Sequence, residues 1–407
     1  MRPKLIIHLD VQNTMIVRDP SRGIGPKEAL NIYISSVVWG YEDCGQNWRW
    51  FSQSTSLLPP SKYTNCNTES SRNQRTEGLQ GESDQSEGSQ SLKNNCQRSQ
   101  RQSTNNESYS HQNRSSCKVF HEVISYYSYI EKSTVKLPED RKILRDITSK
   151  FTENEGSSFR NIFEKYIHFL NESDEKIILP AVYELCSWLI NSNREFAIVI
   201  RSYGMDRQMV LEELNSWLSL NDRRHREIPV VSTEGKIIRT SSEIGLILPF
   251  EFEQILQDGE KTTLGRQGQK LMQSPTEIYE ILSSLKGVCS IRDDFEFWFN
   301  SGYRNSASKP LWVDLSHTEK VHHVFFDDNH RLGFEDDIIN LLVKEYPDED
   351  FRSLDVIATK KYEGVFLAQT DLFQALQDKD YYIKTIAGME EKLKTINVRN
   401  LCDWMER

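Results

Sequence analysis

No stretch of this chain approaches the roughly 18 consecutive apolar residues that a membrane-spanning helix requires. The first apolar run, Leu5 to Leu9, is broken by Asp10 and is too short for the core of a signal peptide. A basic excess is missing as well: 50 Lys and Arg face 60 Asp and Glu, a formal charge of −10. That balance argues against a general nucleic-acid binder, whose phosphate contacts need a concentrated basic face. The local run Arg223-Arg224-His225-Arg226 reads as a solvated loop. Cysteine is sparse, at 44, 66, 96, 117, 186, 289 and 402, with no CxxC pair and an odd total, so reduced thiols are expected rather than disulfides or zinc. These absences predict a cytoplasmic or nuclear protein with neither a membrane nor a nucleic-acid partner. The chain has no internal repeat, and Gly265 to Gly268 lacks the strand–glycine–helix setting of a phosphate loop.

What is present divides sharply. Residues 52–117 are dominated by Ser, Asn, Gln, Arg and Glu, and cannot bury enough apolar surface to offset the ordering of the chain. They read as a disordered insertion, open to protein partners. On either side, Ile32 to Trp39 and Val119 to Tyr127 are apolar at helix-like or mixed spacing, and Phe159, Ile162, Phe163, Tyr166, Ile167 and Leu170 form one helical stripe. Residues 19–175 therefore read as a mostly helical module that carries the polar insertion.

The remainder, residues 1–18 and 176–407, alternates strand-like runs with helix-like stripes, the signature of an α/β core with a mainly parallel sheet. Strands are expected at Leu5–Leu9, Phe196–Ile200, Ile228–Val231, Gly245–Leu248, Leu311–Val313, Val324–Phe326 and Val365–Ala368. Helices are expected after Pro180, through Val210–Leu218, after Pro275, over Ile338–Val343 and at Leu393–Trp404. On a strand, His322 and His323 point to opposite faces and cannot share one ion, so both read as packing residues. Trp48 and Trp50 read as core rather than as a base-stacking platform, since no basic groove accompanies them.

Asp10 carries the most chemical meaning. A buried strand that ends in a carboxylate and then turns presents an attacking group to a ligand in the crevice beyond the strand tips. Three later segments complete a pattern: Arg201-Ser202-Tyr203-Gly204 after a strand, Lys309 before another, and Asp327-Asp328 at the end of a third. With Asp10-Val11-Gln12-Asn13-Thr14, this order resembles the haloacid dehalogenase (HAD) superfamily of hydrolases. The resemblance implies a Rossmannoid core with an inserted helical cap, an aspartyl nucleophile at Asp10, and Mg²⁺ held by Asp10, the Gln12 carbonyl and Asp327, with Asp328 as support or alternative ligand. It further implies that Ser202, Thr14 and Gln12 contact a small phosphorylated substrate and that Lys309 offsets the charge of the nucleophile and the transferred group.

The chemistry is coherent without the resemblance. A carboxylate attacks a phosphate dianion only if the charge gathering there is offset, which a divalent cation, a lysine and hydroxyl donors can do. One position departs from the pattern. Where phosphatases of the superfamily carry a second aspartate that protonates the leaving group, this chain has Gln12, and an amide neither gains nor loses a proton as an acid or base at neutral pH. The expectation is a hydrolase weakened at that step. The alternatives are an inactive phospho-ligand-binding or interaction protein, and a carbon–halogen or carbon–phosphorus hydrolase that dispenses with the missing acid.

Overall fold

A computed structural model of the chain describes residues 2–61, 63–66, 119–171, 177–221, 228–249, 251–252 and 269–405. Its strands are β1 (Lys4–Asp10), β2 (Trp39–Glu42), β3 (Trp48–Trp50), β4 (Tyr63–Cys66), β5 (Val119–Glu122), β6 (Ile124–Ser125), β7 (Phe196–Ser202), β8 (Val230–Arg239), β9 (Ile244–Pro249), β10 (Gln269–Met272), β11 (Gly287–Arg292), β12 (Lys309–Asp314), β13 (Val321–Asp327), β14 (Ile339–Lys344), β15 (Arg352–Ser353) and β16 (Leu367–Gln369). Its α-helices are α1 (Pro26–Val37), α2 (Tyr126–Thr134), α3 (Arg141–Thr148), α4 (Arg160–Asn171), α5 (Pro180–Asn191), α6 (Arg207–Asn221), α7 (Pro275–Ser284), α8 (Phe295–Asn300), α9 (Leu372–Gln377) and α10 (Tyr381–Met405). None of the described helices is long and apolar enough to cross a membrane.

The chain builds an α/β sheet of eight strands in the order β10-β9-β8-β11-β7-β1-β13-β16. From β8 to β16 every neighbour is parallel, and β9 and β10 extend one edge as an antiparallel ribbon. β1 lies between β7 and β13 and is buried along its whole length, which is why it reads as a continuous apolar run. The chain moves from β1 outward through β7 towards β11 and β8, then returns to lay β13 on the other side of β1. This reversal opens a crevice beyond the carboxyl ends of β1 and β13, the place where open α/β sheets bind ligands.

Alternation along the strands assigns the two faces. Leu5, Ile7, Leu9, Ile198, Ile200, Val324 and Phe326 pack with apolar residues of α1, α4, α5, α6, α9 and α10. Ile6, Ala197, Val199 and Cys289 face the other way, against α7 and residues Trp312 and Leu342 of a second, three-stranded sheet ordered β12-β14-β15. The segment between β1 and β7 adds α1 to α4, a small sheet ordered β3-β2-β6, and the hairpin-like pair β4 and β5. Trp50 meets Tyr126, Phe151 and Phe159 in the apolar interior of this segment, in keeping with a core role.

Three expectations need correction. Ile338–Val343 is not helical: Ile339–Lys344 forms β14, parallel to β12. A short apolar run is compatible with a buried strand or a buried helix, and a partner strand from elsewhere in the chain settled it. Lys309 does not precede its strand but begins β12, and β12 belongs to the second sheet rather than the main one. Residues 52–61 and 63–66 of the polar stretch read as disordered are described in the structure, and Tyr63–Cys66 pairs with Val119–Glu122. Its bulk, the Arg223–Arg226 run and the Gly265–Gly268 segment lie outside the described residues.

Candidate functional site

Asp10 closes β1, and the chain turns immediately behind it. Met15 N and Ile16 N both donate to the Val11 carbonyl, and Asn13 takes a left-handed conformation with φ of 53°. Asparagine tolerates that region better than most residues, so the tight turn suits this position. On the neighbouring strand Asp327 closes β13, and its Oδ1 accepts the Asn329 backbone N–H at 3.0 Å. Asp328 follows, held by Asn13 Nδ2 at 2.9 Å and Asn329 Nδ2 at 2.8 Å.

Lys309 reaches this group from the second sheet. Its ammonium donates to Asp10 Oδ1 at 2.5 Å and to Asp327 Oδ2 at 2.7 Å, and the lysine is 1% exposed. Carboxylate oxygens of Asp10, Asp327 and Asp328 all lie within 4.8 Å of one another. Four of the expected residues, from three separate segments of the sequence, thus gather in one place.

The electrostatics are unbalanced. Burial raises the Asp10 carboxyl well above the ordinary carboxylate range, against the pull of Lys309 and with a further push from Asp327 and Asp328. Burial, together with the Asp327 charge, lifts Asp328 to about 7. Lys309 is desolvated, which opposes its charge, yet the flanking Asp10 and Asp327 carboxylates outweigh this and raise its pKa. One ammonium bonds two of the three clustered carboxylates. Such a hard-oxygen donor set fits a divalent cation such as Mg²⁺, which takes carboxylate ligands and usually retains waters. The arrangement answers the charge excess that Lys309 alone leaves.

The other expected contacts turn elsewhere. The Ser202 hydroxyl donates to Asp206 Oδ1 at 3.1 Å and accepts the Gly204 N–H at 2.9 Å. The Gln12 amide donates to the other oxygen of Asp206. The Thr14 hydroxyl donates to Thr370 Oγ1 at 3.3 Å, and the Thr14 carbonyl accepts from Tyr382, so Thr14 serves the packing of the turn rather than the acid cluster.

Sequence reading missed several neighbours. Arg201, directly before Ser202, is buried and forms a two-pronged pair with Asp293, its Nε meeting Oδ2 at 2.9 Å. Asp293 follows β11, a strand not anticipated, although the apolar run Val288-Cys289-Ser290-Ile291 ahead of two acids carries the same signal as Leu5 to Asp10. Tyr203 stacks on Trp298 with centroids 5.1 Å apart, and the Lys309 ammonium lies 5.1 Å from the Tyr203 ring centre. His322 and His323 diverge as expected: one bonds the Val365 carbonyl at 2.7 Å, the other His8 at 3.3 Å and Ser283 at 2.9 Å. A cleft of about 130 Å³ opens beside Asp328, lined by Asn13, Tyr33, Tyr127, Ser128, Arg331 and Gln369 among others.

No family model, curated protein or solved structure matches this chain. The reading of the site therefore rests on its own chemistry.

Proposed function

We propose that the protein is a HAD-like hydrolase that cleaves a small phosphorylated compound, with Asp10 as nucleophile. The observation that carries this reading is the cluster of Asp10, Asp327 and Asp328, two of which bond the single ammonium of Lys309, at the crevice where the strand order reverses. A structural ion pair needs one partner per charge. An excess of buried carboxylate is costly unless something else offsets it, and such sites cluster where chemistry is done.

In this reading Asp10, Asp327 and Asp328 hold Mg²⁺, which supplies positive charge to the oxygens of the transferred group. Asp10 attacks phosphorus from the end of a strand held on both sides, since β1 is buried between two parallel neighbours. Lys309 keeps Asp10 aimed and stabilises the charge that develops during transfer. The cleft beside Asp328 receives the remainder of the substrate, between residues of the main core and α2 of the segment read as the cap. Hydrolysis of p-nitrophenyl phosphate with and without Mg²⁺ tests the proposal. Turnover that needs Mg²⁺ and vanishes in Asp10→Asn is the expected result; no turnover under any divalent cation counts against it.

Gln12 favours a second reading, a phospho-ligand-binding protein without turnover, because the amide cannot act as a general acid or base at neutral pH and is tied to Asp206. Beryllium fluoride with Mg²⁺ separates the two. Thermal stabilisation by that mimic in a chain that hydrolyses no phosphate ester supports the binder.

A further inference from the structure

We infer that Arg331 selects the substrate by receiving a carboxylate of a short, hydroxylated leaving group, so that the compound cleaved is the phosphate ester of a small hydroxy acid. The inference rests on the hydrolase reading above and concerns the cleft beside Asp328 rather than the cation-binding group itself.

Size is the first of three properties that carry it. A cavity of about 150 Å³ takes up one benzene molecule. At about 130 Å³ the cleft is smaller still. It encloses a leaving group of roughly three or four carbons with their oxygens, and not a nucleoside or a hexose.

Charge is the second. Among the described residues that line the cleft, Asp328 and Arg331 alone are charged, and Asp328 belongs to the acid cluster. With that cluster given to the phosphoryl group and its cation, one positive charge is left to meet the leaving group. Neutral amides and hydroxyls, those of Asn329, Gln369 and Ser128 among them, supply the rest of the polar lining and suit hydroxyl groups. A guanidinium fork matches a planar carboxylate through two parallel hydrogen bonds. A second phosphate, with up to two charges, would leave one of them unanswered.

The third property is how Arg331 is held. Its backbone N–H donates to Asp337 Oδ1 at 3.0 Å, and the same oxygen meets His330 Nδ1 at 2.8 Å, while His330 Nε2 meets Glu363 at 2.6 Å. An ion triplet separate from the acid cluster thus fastens the loop that carries Arg331. The side chain is fastened only lightly. Its Nη1 lies 3.1 Å from Asp336 Oδ2, with 27% of the arginine side chain and 46% of the aspartate side chain exposed. Exposed pairs of this kind are weak, so a ligand carboxylate displaces Asp336 at small cost. A fixed backbone under a readily exchanged cation is a preorganised receptor.

The test uses the full chain with Mg²⁺ and two esters that differ at one carbon: 3-phosphoglycerate, with a carboxylate, and glycerol 3-phosphate, with a hydroxymethyl group. Wild type should favour the carboxylate ester by about tenfold or more in kcat/KM. Arg331→Gln should lower kcat/KM for that ester by about 10–100-fold, carried by KM, so that the preference disappears. Arg331→Lys, which keeps the charge without the fork, should retain part of it. No preference in wild type overturns the inference without any variant, and so does a preference that survives in Arg331→Gln. A fall in kcat alone, equal for both esters, marks a structural role and overturns it too. If neither ester is hydrolysed, the hydrolase reading fails by itself, and calorimetric titration of the same esters into wild type decides the inference. Tighter binding of the carboxylate ester, lost in Arg331→Gln, upholds it; equal binding overturns it.

Discussion

The Lys309 cluster and the His330 site lie close along β13 and the loop that follows it, and both bury acids around a cation, yet their charges are arranged differently. His330 is wholly buried with Asp337 on Nδ1 at 2.8 Å and Glu363 on Nε2 at 2.6 Å. Burial works against its charge, but the two acids outweigh it and raise the imidazole to about 10. Every polar atom of that ring is used, and Asp337 also accepts the Arg331 N–H at 3.0 Å, which pins the loop after Asp328. Arg201 and Asp293 form an equally closed pair. At Lys309 one ammonium bonds two carboxylates of a cluster of three, and burial and mutual repulsion raise Asp10 and Asp328. Saturated buried charge holds a fold together; surplus buried charge of one sign leaves room for a ligand of the other sign.

The contrast can be broken most sharply at Asp10. Asp10→Asn should cut Mg²⁺-dependent phosphate hydrolysis by roughly 10⁴-fold or more, as loss of a nucleophile does, while the urea midpoint shifts by less than about 1 kcal/mol in free energy. A large loss of stability with little loss of rate would put Asp10 with the structural pairs. Asp293→Ala should do the reverse. It strands the buried Arg201 guanidinium, and urea unfolding should register a loss of about 3–5 kcal/mol.

Smaller effects sharpen the same distinction. Mg²⁺ at a hundredfold excess over its Kd should stabilise the wild type by about 2.7 kcal/mol, read as a rise in Tm, and Asp327→Asn should abolish the rise. An equal rise in both proteins would place the cation elsewhere. Acidity separates the neutral histidines from the charged one. Burial depresses His322 to about 4 and His323 to about 3, below the unfolded value of about 6.5. The folded state then binds fewer protons, so their contribution is complete above that value and falls as pH drops, by about 2 kcal/mol each at pH 5. His330 behaves oppositely: its contribution is full below about 6.5 and is lost as pH rises through about 10. Urea midpoints at pH 5, 7 and 10 should show losses at both ends, and His330→Gln should remove only the alkaline one.

Much of this architecture was legible in the residues. Apolar runs ending in acids announced β1 and β13, and stripes at helical spacing announced α4, α5, α6 and α7. The gathering of Asp10, Lys309, Asp327 and Asp328 was anticipated from their order along the chain. β14 was misread because a run buried on all sides has no period to distinguish strand from helix. β11 went unremarked although it carries the same apolar-run-then-acid pattern. Asp206 had no signal of its own, since its contact with Gln12 spans 194 positions.

Local pattern dictates which segments become strands and where each delivers an acid, because burial and side-chain alternation act over a few residues. Whether a delivered acid is neutralised depends on cations brought from distant strands to within a few ångströms, and Coulomb energy follows separation in space rather than along the chain. That is why Asp293 emerged paired and Asp10 in a surplus of its own sign only once the sheets were assembled.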